Sequence, residues 1–391
     1  MIFAQIACRL ILAAVALTAL SAAAVTSPSV PASKLRARDL GVPFDGTPGP
    51  LNAITDVAGV TVGHTTLNGG DVHTGVTAVL PRGAASQKDP VFAGWYSQNG
   101  NGEMTGTTWV EESGFLAGPV MITNTHSVGI VRDAVIKWHV ERGDLAPDGD
   151  AWALPIVAET WDGWLNDING FHVTAQNAID ALNSAHGGAV TEGSVGGGTG
   201  MICNGYKGGI GTSSRRLSAK DGGYTVGVLV QCNFGVRENL RIAGIAVGRE
   251  IAAPEPYVFM PSELGEHGSI IVVVATDAPL LAHQLKRVAR RVTLALGRAG
   301  SISGDGSGDI FMAFSTANAG AGVAGKTVAV SMLPNESMNA IFLATVEATE
   351  EAIDNALIAA EDMTGYKGHR VIAMPHAALQ AVLRKYNRLV Q

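Results

Sequence analysis

Apolar and polar positions alternate along the chain in two rhythms, one typical of strands and one typical of helices. The clearest strand signal is residues 270–275, an unbroken and mostly β-branched apolar run that leaves no polar face for water. We therefore predict a strand that is buried on both faces. A helix is predicted directly after it, with Asp277 as its cap and Pro279 in its first turn. The apolar face of that helix would consist of Leu281, Leu285, Val288, Val292 and Leu296.

The same two rhythms predict further elements before and after this unit. Strands are predicted at residues 52–64, 76–80, 90–95, 118–125, 224–232, 310–314 and 327–333. Helices are predicted at residues 128–140, 335–362 and 375–386. Three prolines, Pro254, Pro256 and Pro261, indicate an irregular and exposed linker over residues 237–264. This irregular alternation of strands and helices predicts layers of the α/β class.

Composition indicates a globular protein and narrows its class of partner. Of the 391 residues, 47% are hydrophobic and 16% are charged, which excludes a disordered chain. The formal net charge of −7, without a basic cluster outside the predicted helix, argues against a nucleic-acid partner. Beyond the first 25 residues the chain has two cysteines, Cys203 and Cys232. They allow one disulfide, but neither their number nor their spacing indicates a metal site.

The first 25 residues have the pattern of an export signal. Arg9 is their only charged residue, residues 10–24 are mostly apolar, and residues 21–24 supply the small side chains that signal peptidase requires. The apolar run is short for a membrane span, so a retained anchor is the less favoured alternative. Residues 26–35 are rich in serine and proline and predict a disordered spacer. The mature protein is therefore expected to be periplasmic or secreted, without stable insertion in a membrane.

Gly268 and Ser269 stand at the entrance to the predicted buried strand, after a polar segment. A serine at this place is held by the strand and can still be reached by a ligand. If the peptide bond before Ser269 were cut, this residue would carry both a hydroxyl and a free α-amine. An α-amine has an unperturbed pKa near ~7.7–8.0 and can serve as the base for its own hydroxyl. Taken alone, however, Gly-Ser is usually an ordinary turn and strand start.

The longer string at residues 268–280, followed by residues 283–287, resembles a known family. It is similar to the self-cleaving serine aminopeptidases of the L-aminopeptidase/D-amidase-esterase family, which includes the β-aminopeptidases. The resemblance extends over residues 36–386. It implies a four-layer αββα sandwich of the N-terminal-nucleophile-hydrolase-like type, formed by residues 36–391 as one hydrolase domain. It also implies that this domain cuts itself between Gly268 and Ser269 into two subunits.

The resemblance also implies catalytic roles for individual residues. Ser269 would be the nucleophile of both self-cleavage and catalysis. Asn233, just past the strand predicted at residues 224–232, would help to form the oxyanion hole, although a turn asparagine beside Gly235 is the structural alternative. Ser307 and Asp309 would hydrogen-bond the nucleophile and orient its new amine.

Substrate-binding residues follow from the same resemblance. Glu159 and Trp161 lie in a segment that contributes to the substrate pocket of the family, and Gly198 belongs to a glycine-rich loop near that pocket. Most relatives have tyrosine where Trp161 stands. Because tryptophan offers an N–H donor but no hydroxyl, this departure bears on substrate preference rather than on the nucleophile.

Three other features could suggest a nucleotide site, a calcium site or a catalytic histidine, and the sequence argues against each. The glycine-rich loop at residues 192–201 matches neither a Walker loop nor a dinucleotide fingerprint. Asp305 and Asp309 lack the ligand pattern and terminal glutamate of an EF-hand. His64, after a predicted strand, is expected to be a hydrogen-bonded structural residue. No metal and no organic cofactor is predicted.

These observations predict an exported, self-processed serine aminopeptidase without a nucleic-acid partner. It would hydrolyse the N-terminal amide or ester bond of short peptides and amino-acid amides, and it would assemble as a homo-oligomer of processed heterodimers. Two alternatives remain open. One is an acyltransferase of the ornithine-acetyltransferase kind, whose nucleophile is usually a threonine in a different motif. The other is an exported glycine-rich binding protein without chemistry.

Overall fold

Two β-sheets stacked face to face form the centre of the molecule, and helices cover the outer face of each sheet. The computed structural model describes residues 34–146, 148–252, 267–323, 325 and 327–390. The predicted signal peptide and most of the predicted spacer lie outside these residues. In the described part of the chain, no helix combines the length and the apolarity that crossing a membrane requires.

The strands and helices follow each other irregularly along the chain. The strands are β1 (Thr61–Gly69), β2 (Val72–Ala84), β3 (Val91–Ser97), β4 (Phe115–Leu116), β5 (Val120–Asn124), β6 (Ile156–Thr160), β7 (Ile202–Cys203), β8 (Tyr206–Lys207), β9 (Gly209–Arg216), β10 (Thr225–Asn233), β11 (His267–Thr276), β12 (Gly306–Ser307), β13 (Ile310–Ser315), β14 (Met363–Thr364) and β15 (Arg370–Val371). The α-helices are α1 (Thr107–Ser113), α2 (Val128–Glu141), α3 (Ala175–Asn183), α4 (Val247–Glu250), α5 (Ala282–Ala289), α6 (Val292–Ala299), α7 (Asn339–Ile358) and α8 (His376–Lys385).

The smaller sheet has the strand order β1-β2-β5-β6. The pairs β1/β2 and β2/β5 are antiparallel, whereas β5/β6 is parallel. The outer face of this sheet packs against α2 and α3, where Val135 and Leu182 join Val76 and Met121 in one apolar cluster. The amphipathic helix predicted at residues 128–140 is confirmed by α2.

The larger sheet has the order β4-β3-β13-β11-β10-β9, and β12 also pairs with β11. Strand β11 lies near its centre, parallel to β13 and antiparallel to β10. Residues 270–275 are each at most 1% exposed, which confirms a strand buried on both faces. The side chains of successive residues point to opposite faces of the sheet, as they do in any pleated strand. Ile270 and Val272 pack among the outer helices, whereas Ile271 and Val273 pack against the smaller sheet.

The helix predicted after β11 is divided into α5 and α6, with Arg290 and Arg291 between them. The predicted apolar face persists through the break, since Leu285 and Val292 are fully buried. Asp277 does not cap this helix, and that prediction is wrong. Its carboxylate instead accepts the backbone N–H of Thr225 at 2.7 Å, which satisfies the first N–H group of the neighbouring strand β10.

A core strand predicted at residues 327–333 does not form. Val328, Val330 and Met332 are 37%, 42% and 49% exposed, and no strand is assigned to this described segment. Both the N–H and the carbonyl of Ser331 hydrogen-bond the side chain of Asn318 instead of a neighbouring strand. β-Branched composition favours a strand only where a partner strand is available, and this segment has none in the described chain.

The exposed linker predicted at residues 237–264 is also wrong for its described part. Leu240 and Val247 are fully buried, in a compact turn region that contains the short helix α4. Residues 253–264, which hold the three prolines, lie outside the described residues. The three prolines gave no information about residues 237–252, which pack into the core.

Candidate active site

Neighbouring strand ends bring five of the predicted site residues together. Strand β10 ends at Asn233, which pairs with Ser269 near the start of β11. On the other side of β11, the short strand β12 pairs Ser307 with Gly268. Asp309 follows Ser307 and leads into β13. The predicted nucleophile, cleavage site and polar partners therefore meet at one end of the strands in the middle of the larger sheet.

One backbone N–H group contacts both the carbonyl before Ser269 and the hydroxyl of Ser269. The Gly308 N–H donates to the Gly268 carbonyl oxygen at 3.1 Å and to Ser269 Oγ at 3.2 Å. A side chain at Gly308 would disturb this donor, because a Cβ there would lie 2.3 Å from the carbonyl oxygen of Asn101. The site therefore holds the Gly268 carbonyl and the Ser269 hydroxyl side by side.

Gly268 is the residue whose backbone conformation allows this arrangement. Its φ of 117° lies in a region that residues other than glycine rarely adopt. A Cβ at this position would lie 2.1 Å from the Asn233 carbonyl oxygen. Glycine before Ser269 is therefore required both by conformation and by the close approach of β10.

Asp309 is fully buried, and its carboxylate is fixed from two sides. Its Oδ1 accepts the Ser307 hydroxyl at 2.8 Å and the Ile270 N–H at 3.2 Å. Asn99 lies on the other side, where its Oδ1 accepts the Asp309 N–H at 2.6 Å and its Nδ2 donates to Asp309 Oδ2 at 3.4 Å. The carboxyl group is thereby held next to Ile270, the residue that follows Ser269.

Asn99 and Asn101 are site residues that the sequence analysis missed. Asn101 Nδ2 donates to the Gly306 carbonyl at 2.9 Å, and the Asn101 N–H donates to the Ser307 carbonyl at 3.3 Å. Both asparagines thus hold the backbone that carries Ser307 and Asp309. Their Asn-Gly-Asn-Gly string is typical of a turn, and its partner lies 205 residues further along the chain. Turn composition alone gives no sign of such a distant contact.

Asn233 is held by hydrogen bonds at both ends of its amide. Its Oδ1 accepts the Ile202 N–H at 2.7 Å, and its Nδ2 donates to the Trp161 carbonyl at 3.0 Å. An amide nitrogen carries two N–H groups, so Nδ2 can serve one further acceptor. The side chain is therefore oriented by the protein and retains a donor for a ligand.

Cys203 and Cys232 form a disulfide directly beside Asn233. Their Cα atoms are 5.5 Å apart, and both residues are fully buried. The pairing that the sequence left open is therefore made. Cys203 belongs to the hairpin of β7 and β8, whose turn residues Asn204 and Gly205 have φ values of 48° and 69°. Asn-Gly with positive φ at both positions is the preferred type I′ hairpin turn.

Trp161 directly follows β6 and lies next to the Asn233 amide, and Glu159 belongs to the same segment, within β6. Glu159 is 4% exposed, and its carboxylate accepts the Glu103 N–H at 3.0 Å and the Thr125 hydroxyl. Burial raises the pKa of Glu159, and these two hydrogen bonds offset part of that effect. Trp161 approaches the site through its carbonyl, which accepts from Asn233 Nδ2.

Residues 52–371 match the family model described as peptidase family S58. The chain belongs to this family. A β-peptidyl aminopeptidase, BapA of Sphingosinicella microcystinivorans, is 53% identical to the S58 chain over 377 residues, covering 90% of the chain and 93% of that relative. Membership of the family makes the chain a hydrolase of peptide bonds and confirms the predicted resemblance.

Solved structures show the same relationship at the level of fold. A β-aminopeptidase from Burkholderia sp. superposes on the S58 chain with a TM-score of 0.82 and 49% identity, covering 90% of this chain and 99% of that one. The L-aminopeptidase D-Ala-esterase/amidase from Ochrobactrum anthropi gives 0.84 and 47%, with coverage of 91% and 99%. That enzyme is described as a prototype for the serine aminopeptidases and as a new variant among the Ntn hydrolase fold. The predicted fold class is thereby confirmed.

Gly198 has a supporting place in this S58 peptidase. A Cβ there would lie 2.6 Å from the Ile210 nitrogen, so the glycine-rich loop packs closely on β9. The buried Lys207 Nζ donates to the carbonyls of Met201 at 2.9 Å and Gly208 at 2.8 Å, and more weakly to that of Gly198 at 3.5 Å. Burial lowers the pKa of Lys207 to about 7. The loop connects to Asn233 through Ile202, which follows Met201.

His64 is hydrogen-bonded, as expected, with its Nδ1 3.0 Å from Thr77 Oγ1. Burial lowers the pKa of His64 to about 4, so it is neutral at pH 7. Among the residues that the structure describes, no three His, Cys, Asp or Glu side chains are grouped to hold a metal ion. The independence from cofactors stays a prediction.

Proposed function

We propose that this S58 peptidase cuts its own chain between Gly268 and Ser269. The observation that carries the proposal is the Gly308 N–H, which donates to both the Gly268 carbonyl and Ser269 Oγ. This donor polarises the carbonyl carbon and holds the hydroxyl beside it. Attack by Ser269 Oγ breaks the peptide C–N bond, passes the hydroxyl proton to the leaving nitrogen and leaves an ester. Water then hydrolyses the ester to a Gly268 carboxylate, the Ser269 hydroxyl and a free α-amine.

The mature enzyme then uses Ser269 again, as the nucleophile for substrate. Its own α-amine takes the hydroxyl proton as Ser269 Oγ attacks the substrate carbonyl. Asn233 Nδ2 and backbone N–H groups stabilise the oxyanion that develops. Ser307 and Asp309 orient the serine and its amine. The leaving amine receives the proton, and water completes the cycle by hydrolysing the acyl-enzyme.

The proposed substrates are short peptides, amino-acid amides and esters with a free N-terminus. The names of the relatives, a β-peptidyl aminopeptidase and an L-aminopeptidase D-Ala-esterase/amidase, support this class. Glu159 and Trp161 are proposed to line the substrate pocket, because their segment lies against the Asn233 amide. Gly198 supports the same pocket from the glycine-rich loop.

We place the enzyme outside the cytoplasm, after removal of residues 1–25 and with residues 26–35 as a spacer. The export pattern of the first 25 residues supports this, as does the disulfide, because disulfides persist mainly in oxidising compartments. Assembly as an oligomer of cut heterodimers belongs to the same proposal. Membership of a peptidase family argues against both alternatives, the acyltransferase and the binding protein.

The proposal is tested by N-terminal sequencing of both chains in the purified protein. We expect two chains that separate only under denaturing conditions, the smaller of which begins at Ser269. The same preparation should release ammonia from amino-acid amides. A single uncut chain, or a smaller chain that begins elsewhere, would contradict the proposal.

The acidic limb of turnover should report the Ser269 amine. The amine must be neutral to accept a proton, so activity should rise with pH as it deprotonates. Burial lowers an amine pKa and a nearby carboxylate raises it, so we expect a limb within about one unit of ~7.7–8.0. Asp309→Asn removes the carboxylate, and the limb should therefore move to lower pH. Turnover against pH, per mole of cut enzyme, measures this shift.

Asp305→Asn is the matched control for this prediction. Asp305 is an exposed carboxylate in the same loop, where solvent screens its charge. Its removal should leave the limb within experimental error of the native one. If Asp309→Asn also leaves the limb in place, Asp309 does not act on the amine.

A further inference from the structure

The hairpin of β7 and β8 is joined to the end of β10 by three consecutive links. They are the hydrogen bond from the Ile202 N–H to Asn233 Oδ1 at 2.7 Å, the disulfide between Cys203 and Cys232, and the hydrogen bond from the Asn204 N–H to the Phe234 carbonyl at 2.7 Å. The covalent link therefore lies between two hydrogen bonds, one of which orients the Asn233 side chain.

The hairpin needs such a link because it is very small. Each of its strands has two residues, and isolated two-stranded hairpins are marginally stable at best. Its second strand is held by the buried Lys207 Nζ, which donates to backbone carbonyls, and by Arg237, whose guanidinium lies 4.1 Å from the Tyr206 ring centroid. Its first strand carries Ile202, and this strand is the one that the disulfide holds.

We propose that the Cys203–Cys232 disulfide positions the Asn233 amide for catalysis. The two cysteines are the direct sequence neighbours of Ile202 and Asn233, so their bond limits how far the Ile202 N–H can move from Asn233 Oδ1. Because the Ile202 N–H holds Oδ1, the amide group cannot rotate freely, and the direction in which Nδ2 points is fixed as well. The inference rests on the proposed function, because it requires Asn233 to donate to the oxyanion. Cys203 and Cys232 are positioning residues in this scheme.

The effect should fall on turnover rather than on substrate affinity. An oxyanion donor acts mainly in the transition state, where the negative charge develops. Displacement of a catalytic group by about 1 Å can cost ~10²-fold in rate, and a hairpin that keeps its other contacts would move less. We therefore expect roughly a 10-fold fall in kcat, with KM nearly unchanged, when the disulfide is absent.

The experiment compares the native enzyme with the double variant Cys203→Ser/Cys232→Ser, in the native and the Asn233→Ala backgrounds. Peptide mapping without reductant first establishes that native Cys203 and Cys232 are linked. The double variant should lose about 10-fold in kcat in the native background and almost nothing further in Asn233→Ala. If the double variant fails to fold, native protein produced in a reducing cytosol supplies the dithiol form for the same comparison.

Ile341→Val is the control for loss of stability alone. Ile341 is fully buried in α7, an element separate from the hairpin and from β10, and its truncation is expected to lower the melting temperature. Its kcat should equal that of the native enzyme at a temperature where both are folded. A fall in kcat here as large as in the double variant would mean that stability, and not position, explains the result.

The possible results distinguish failure of the positioning role of the disulfide from failure of Asn233 as the oxyanion donor. Unlinked cysteines, an unchanged kcat in the disulfide-free enzyme, or an equal loss in the Asn233→Ala background would each overturn the positioning role alone. Full activity of Asn233→Ala would instead refute the proposed oxyanion donor and this inference with it.

Discussion

Replacement of Ser269 by alanine is expected to leave one uncut chain that folds normally and has no aminopeptidase activity. Ser269 Oγ is the nucleophile that attacks the Gly268 carbonyl carbon in the proposed cleavage. The Gly308 N–H would still donate to that carbonyl, but nothing beside it could attack. Because alanine keeps the Cβ and Ser269 is 5% exposed in β11, the strand should form as before. Denaturing gels and intact mass measure the outcome.

Ser315→Ala is the matched control for this experiment. Ser315 is a fully buried serine at the end of β13, where its hydroxyl donates to the Ala278 carbonyl at 2.6 Å. Its loss should cost some stability and leave cleavage complete. Two chains from Ser269→Ala would refute self-cleavage by this residue, whereas an uncut Ser315→Ala would show that processing fails whenever the sheet is weakened.

Replacement of Asn233 by alanine should lower kcat by about 10²–10³-fold and change KM little, because an oxyanion donor acts in the transition state. Cleavage between Gly268 and Ser269 should persist in this variant. The Gly268 carbonyl has its own donor in the Gly308 N–H, and the Asn233 side chain is bonded elsewhere. Turnover of an amino-acid amide, expressed per mole of cut enzyme, separates the two steps.

Asn233→Asp makes the test sharper, because it keeps an acceptor for the Ile202 N–H and removes the donor. The hairpin should stay in place while an added negative charge faces the oxyanion. We expect at least as large a loss of kcat as in Asn233→Ala. If Asn233→Asp retained native turnover, Asn233 would have only a structural role in the turn.

The local pattern of apolar and polar residues was sufficient to predict burial where a residue's surroundings are set by its own strand or helix. Residues 270–275 form the predicted buried strand, and the apolar face of the following helix is buried across a break that the pattern did not show. The break changes the path of the backbone and leaves the helical spacing of Leu285, Val288 and Val292 intact. Periodicity in the sequence shows how apolar residues are spaced along a helix, but it does not show whether that helix is continuous.

Contacts between segments that are distant in the sequence could not be predicted from the local pattern of apolar and polar residues. The Asn99 amide meets Asp309 because β3 pairs with β13, a register that neither strand specifies alone. Residues 327–333 have strand composition but no partner strand in the described chain, so composition misled there. Ser269, Asn233, Ser307 and Asp309 were proposed through family resemblance, and their spatial grouping became visible only in the fold.

The place of the proposed cut has a consequence for the order of folding and processing. Strand β11 would begin the smaller chain, yet it pairs along eight residues with β10 of the larger chain and shares its apolar core. Neither chain could bury its own half of that sheet alone. Folding must therefore precede cleavage, while connectivity keeps the two halves at high mutual concentration. Once cut, the unfolded enzyme could recover only through a bimolecular encounter, so processing turns a reversible folding reaction into one that depends on concentration.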